Sequence, residues 1–193
     1  MTPRRLYAPV VLALLAVGGL AFFAASRTWA TATLTSDGLP PSDLSVKGTD
    51  VEPLVSALAV VVVTAALAVL ATGTRMRRVV GVLTIVVAIL GIVVAPFPGS
   101  GAYDRALSTA AEKSPAFTGA DSLGESSTSV WYAVLVVAFV LAIVIGAAIV
   151  RWASAWPTMG SRYDAPSVRT SQDSTPSDGD MWKAMDQGHD PTE

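Results

Sequence analysis

The chain has 193 residues, 52% of them hydrophobic and only 15% charged, and its formal net charge is −2. Soluble domains carry close to about 25% charged residues, so this composition excludes an ordinary aqueous globule. It has no clustered basic face to hold nucleic acid, and zero cysteines exclude a disulfide, Cys-ligated zinc and a thiol nucleophile.

The first element is an uncharged apolar run from Leu6 to Ala25, preceded by Arg4 and Arg5. Arg4-Arg5 and the small Ala24-Ala25-Ser26 have the look of a secretory signal. Phe22 and Phe23, however, sit close to where a signal peptidase needs small residues, so a retained span is expected. The loop that follows, Ser26 to Pro53, opens with an alternating, β-branched stretch from Thr28 to Thr35. A turn-prone segment, Ser36 to Pro41, and a return stretch, Leu44 to Lys47, complete the pattern of a small β-hairpin. An isolated hairpin is marginal in water, so this one has to rest on helix ends or on another loop.

Three more apolar runs follow: Leu54 to Ala71, Val79 to Ala95, and Val130 to Val150. The four runs hold roughly 17 to 21 residues each, or about 26 to 32 Å of helix, which matches a hydrocarbon core of about 30 Å. Thr72 to Arg78 is the only chain between the second and third runs, which forces an antiparallel hairpin. Pro96-Phe97-Pro98-Gly99 stops the third run. Within the second loop, Pro96 to Ser129, a short helix is predicted over Ala102 to Lys113, with Ala106, Leu107, Ala110 and Ala111 at helical spacing. The Gly/Ser/Thr-rich stretch Gly119 to Ser129 is expected to be irregular. The two loops read either as solvated connections or as a shared cap over the bundle.

No Asp, Glu, Lys, Arg or His lies inside the four runs. Their polar groups are Ser56, Thr64 and Thr84, with glycines at 18, 19, 81, 91 and 146 that permit close helix approach. Arg4, Arg5, Arg75, Arg77, Arg78, Arg151, Arg162, Arg169 and Lys183 fall on one side of the bilayer, and Arg27, Lys47, Arg105 and Lys113 on the other. Nine against four places both termini in the cytoplasm. Trp29, Trp131, Tyr132, Trp152 and Trp156 lie at or just beyond span ends and are expected to serve as interfacial anchors.

The domain plan is therefore a four-span membrane domain over residues 1–164 (spans about 6–25, 54–71, 79–95 and 130–150) and a cytoplasmic tail over 165–193. Residues 165–180 are Ser/Thr/Pro/Asp/Gly-rich and are expected to be disordered. At the end of that tether, Met181, Trp182 and Met185 form an apolar patch on a short helical turn, capped by Asp180 and stopped by Gly188.

No catalytic constellation is legible. The lone His189 lies in the tail, and the carboxylates Asp37, Asp43, Asp50, Glu52, Asp104, Glu112, Asp121 and Glu125 are scattered as on a solvated face. No phosphate loop, metal cluster or nucleophile elbow is present, so no catalytic, cofactor or metal residue is assigned.

Short motifs tie the chain to a known family. Arg27-Thr28-Trp29, Pro53-Leu54, Trp156-Pro157-Thr158-Met159 and Arg162-Tyr163-Asp164 are followed by Trp182-Lys183-Ala184-Met185-Asp186-Gln187-Gly188-His189-Asp190-Pro191-Thr192. Together they resemble the actinobacterial tryptophan-associated (Trp operon) transmembrane protein family. Met185 and His189 stand where that family's pattern has Leu and Glu. The resemblance implies a four-span protein of a bacterial plasma membrane whose gene lies among tryptophan-biosynthesis genes, with no biochemical activity to carry over. It also implies that Met181, Trp182, Met185, Asp186, Gly188, Asp190 and Pro191 form a recognition element for a cytoplasmic protein partner.

The reading is an all-α four-helix transmembrane bundle with a small β-hairpin in its first outer loop, a disordered tail and no cofactor. Its partners are the lipid bilayer and the cytoplasmic protein, and no oligomeric state follows from the residues. The expected function is a non-enzymatic scaffold or accessory protein in tryptophan handling. The alternative is a small transporter or exporter of tryptophan or a related indole compound. A proton-coupled form of that alternative lacks the usual intramembrane acid.

Overall fold

The computed structural model describes residues 7–35, 40–115, 117, 122–124 and 126–156, all within the unit spanning residues 1–158. The tip of the hairpin turn, the tail 165–193 and its terminal motif lie outside the described residues.

Helix α1, Tyr7–Ala25, is followed by strands β1, Thr28–Thr35, and β2, Ser42–Lys47, and by a single turn α2, Gly48–Val51. Helices α3, Pro53–Ala71, and α4, Thr74–Val94, come next, then α5, Gly101–Glu112, and short strands β3, Ser122–Leu123, and β4, Ser127–Thr128. Helix α6, Trp131–Trp152, runs into a 3₁₀ turn, Ala153–Ala155. Helices α1, α3, α4 and α6 are long and apolar enough to cross a bilayer, with mean hydropathies of 2.3, 2.8, 2.3 and 3.2. Each closes its own backbone hydrogen bonds, which a segment surrounded by lipid tails requires.

The four close into a ring, α1 against α3 and α6, and α4 against α3 and α6. Aliphatic side chains such as Leu12, Val86 and Val144 point outward, while Leu14, Val62, Ala88, Leu135 and Phe139 fill the interior. Small residues set the spacing. A Cβ on Gly81 would stand 2.9 Å from Val150 Cγ2 and 3.1 Å from the Gly146 carbonyl, and one on Gly91 2.6 Å from Phe139 Cζ. Gly18 is equally tight, with Val63 Cγ2 at 2.8 Å, so its role is packing of α1 on α3. Thr64 and Thr84 bond back to their own helices, to Val61 O at 2.9 Å and Val80 O at 2.8 Å, and tie no helices together.

Two sequence boundaries shift. The connection between α3 and α4 is only Thr72 and Gly73, not Thr72 to Arg78, and α4 takes in Arg75, Arg77 and Arg78 before its apolar run begins. Apolar content marks the length that lipid covers, whereas the helix continues past it. Gly119 to Ser129 is not wholly irregular either, since β3 and β4 both pair with β1. The physical reason is that β1 has a second edge whose backbone groups need partners, and a polar, small-residue segment can supply them without any apolar pattern.

The resulting cap unites both loops. Strand β1 pairs antiparallel with β2, from Ala30↔Val46 to Leu34↔Ser42, with an irregularity between Thr28 and Ala30. On its other side β1 meets β3 at Leu34↔Leu123 and β4 at Ala30↔Thr128. Helix α5 lies against β2, β1 and α2 through the buried Tyr103, Leu107 and Ala111.

Candidate functional site

The described polar features gather at the two ends of the bundle. At the end where α1 begins and α6 finishes, Arg77 is 2% exposed. Cations at a helix N-terminus oppose the macrodipole, and Arg77 escapes that by reaching back to the carbonyl end of α3. Its Nε donates to Val69 O at 3.4 Å and its Nη2 to Thr72 O at 3.2 Å, while the buried Nη1 has no partner. The guanidinium lies 4.8 Å from the Tyr7 ring and 5.7 Å from the Trp156 ring, which meet edge to face at 5.4 Å. Tyr7 Oη also donates to Val69 O, at 3.4 Å. The sequence offered only a weak clue to this cluster, because Arg77 read as one more loop cation.

At the opposite end Trp29 is fully buried inside the cap. Its Nε1 donates to Ala24 O at 2.9 Å, pinning β1 to the last turn of α1, and its ring stacks on Tyr103 and meets Tyr132 edge-on. Gly48 lies against the indole so closely that a Cβ there would overlap it. Burial, and secondarily Tyr132 nearby, push the Tyr103 hydroxyl up to about 12, and that hydroxyl has no hydrogen-bond partner. Arg27, exposed at the same end, covers Phe23 at 4.0 Å and Trp131 at 5.6 Å.

Beside this core runs a groove of about 540 Å³ between α5 and the segment from β2 through α2 to the start of α3, within the usual range for small-molecule sites. Asp50 and Glu52 stand on one wall, Arg105 and Lys113 on the other. Asp50 Oδ2 accepts from Lys47 N at 3.1 Å and Glu52 Oε1 from Leu54 N at 3.2 Å, each capping a helix start. Arg105 Nε donates to Gly101 O at 2.9 Å. No ion pair links the two walls among the described residues. Four charges that looked scattered in sequence thus face one another, because the chain folds α5 back against α2. Among the described residues no three His, Asp or Glu side chains group closely enough to hold a metal ion.

The aromatic residues expected as anchors divide. Trp131, Tyr132 and Trp152 are half-buried at the ends of α6, whereas Trp29 and Trp156 are buried and serve internal contacts. Met181, Trp182, Met185, Asp186, Gly188, Asp190 and Pro191 lie outside the described residues.

No curated protein and no solved structure matches the chain. The family model for tryptophan-associated transmembrane proteins does, over residues 11–192, from the first helix through the terminal Asp190-Pro191-Thr192. A membrane chain with four spanning helices matched over almost its whole length belongs to the tryptophan-associated transmembrane protein family.

Proposed function

We propose that the chain is a non-enzymatic accessory protein of the bacterial plasma membrane that takes part in tryptophan handling, with its termini in the cytoplasm and its cap outside. The observation that carries this reading is the division of labour in the structure. The bundle is closed by glycine-mediated contacts along its length, while an open charged surface is collected on the cap. Such packing suits a rigid support better than a conduit, since a solute path needs space between helices that Gly18, Gly81, Gly91 and Gly146 use for backbone approach. The family's association with tryptophan supplies the metabolic setting.

The orientation rests on nine Lys/Arg on the terminal side against four on the cap side. A cysteine replacing the exposed Ser126 in this Cys-free chain reacts with an impermeant thiol reagent in intact cells, and one replacing Ser171 does not. The reverse pattern inverts the topology. On the cytoplasmic side, the Met181, Trp182 and Met185 patch supplies a docking peptide, since a Trp anchor in a partner groove contributes about 2 kcal/mol or more. Crosslinking in native membranes, followed by purification of the intact chain and of a chain ending at Asp164, tests the scaffold role. Loss of a recovered partner on truncation supports it. Identical recoveries, together with altered efflux of labelled tryptophan in cells lacking the gene, favour the exporter instead.

A further inference from the structure

The groove on the cap has the charge layout of a receptor for a zwitterion. On α5 and its C-terminal cap residue, Arg105, Thr109 and Lys113 recur every four residues and form one stripe facing the groove, and Ala102, Ala106 and Ala110 form the stripe next to it. The alanines are what leave room there: larger side chains at those positions would occupy the space between α5 and α2. On the opposite wall, Asp50 and Glu52 each spend one carboxylate oxygen on a backbone N–H and keep the other without a described partner. Arg105 is held in the same way, its Nε fixed on Gly101 O and both Nη groups without a described partner.

A merely solvated face explains exposed charges. It does not explain why two anions and two cations, three of the four fixed by backbone hydrogen bonds, flank an apolar floor without pairing across it. Charges whose orientation is already fixed lose little further freedom when a ligand arrives. We propose that this groove binds a free α-amino acid with a large apolar side chain. Arg105 and Lys113 take the carboxylate, Asp50 and Glu52 take the ammonium, and the side chain lies over Ala102, Ala106 and Ala110. A guanidinium suits the carboxylate because two parallel N–H donors match its two oxygens. A cavity of about 540 Å³ accommodates even an indole side chain. This deepens the tryptophan-handling reading and rests on it for the choice of probe alone.

The test is equilibrium binding of tritiated L-tryptophan to the full chain purified in detergent, with competitors that each remove one feature. Tryptamine lacks the carboxylate, indole-3-propionate lacks the ammonium, and glycerophosphoethanolamine presents the zwitterion of a lipid headgroup. Saturable binding is expected, with tryptamine and indole-3-propionate each weaker by about tenfold or more, the loss of one charge-assisted contact. Arg105→Ala weakens tryptophan by a similar factor and leaves tryptamine unchanged. Ala106→Leu fills the floor and abolishes binding of both.

Arg105 is exposed and makes only a local backbone contact, so its variant keeps the wild-type melting temperature and separates lost binding from lost fold. Absence of saturable binding up to about 10 mM by cooperatively melting wild-type protein overturns the proposal. So does binding indifferent to both Arg105→Ala and Ala106→Leu, or a clear preference for glycerophosphoethanolamine over every amino acid tried. None of these results touches partner recovery through the tail, so the groove can fail while the scaffold reading stands, and the reverse.

Discussion

Each end of the bundle has an arginine set against one aromatic ring from α1 and one from the α6 side. At the cap end Arg27 covers Phe23 and Trp131; at the terminal end Arg77 lies among Tyr7 and Trp156. The first is exposed and its described side-chain partners are rings. The second is buried and also closes two carbonyls at the end of α3. The difference teaches that burial, not the residue pair, decides what a cation–ring contact is worth. A solvated guanidinium trades ring contact for water at little gain, while a desolvated one with carbonyl acceptors becomes part of the helix hairpin. At the cap end the pinning role passes to a neutral residue, Trp29, which closes one carbonyl of α1 from inside an apolar core.

If that division holds, the largest loss comes from Trp29→Ala, which removes a fully buried indole and the donor to Ala24 O. About 3 to 5 kcal/mol is expected, read as rapid proteolysis of the cap in detergent-purified protein whose spanning helices stay protected. Intact, protease-resistant cap in this variant would mean that Arg27 and the sheet hold the cap without the indole.

Arg77→Met comes next. It keeps a long apolar stem but removes the guanidinium donor from Thr72 O and leaves Val69 O with Tyr7 Oη, for about 2 to 3 kcal/mol in denaturant-driven unfolding of the bundle. Arg27→Ala sharpens the contrast: an exposed cation–ring contact is worth about 0.5 to 1 kcal/mol, so its unfolding midpoint should sit close to wild type. Equal losses from the two arginines would mean that burial does not set the strength of these contacts.

The smallest effect runs in the opposite direction. Tyr103 buries a hydroxyl with no partner, so Tyr103→Phe should leave the cap as stable or more stable by up to about 1 kcal/mol at neutral pH. The hydroxyl is held protonated to about 12, above its unfolded value of 10.0. Its contribution is fully present below the unfolded value and is lost as pH rises through the folded one. Wild-type protein therefore loses cap stability between about pH 10 and 12, and Tyr103→Phe loses less over the same range, as followed by alkaline thermal melts.

The spanning helices were legible because lipid imposes one demand that any sequence must display: a long run without charge. The strand Thr28–Thr35 was legible for a related reason, since a strand with one buried face alternates, and Ala30, Ala32 and Leu34 do end up inside, while Trp29 leaves that period at the irregularity between Thr28 and Ala30 and is buried as well. The start of α4 was not, because helix formation and lipid exposure are different properties and Arg75 to Arg78 satisfy only the first. Strands β3 and β4 were invisible because their pairing is dictated by β1's unpaired edge, not by any pattern of their own.

The sequence by itself determined that the chain spans a membrane four times and that glycines let the helices close on one another. It also carried the motifs that place the chain in its family. Those properties follow from local composition, which each segment carries wherever it is placed. Only the tertiary structure decided that Arg77 is buried while Arg27 is not, and that Trp29 is a cap pin where sequence position suggested an interfacial anchor. It alone set Asp50 and Glu52 opposite Arg105 and Lys113. Those outcomes depend on which residues about 50 to 100 positions apart come to face each other. Loop closure and helix packing set that distance, and no local pattern encodes it.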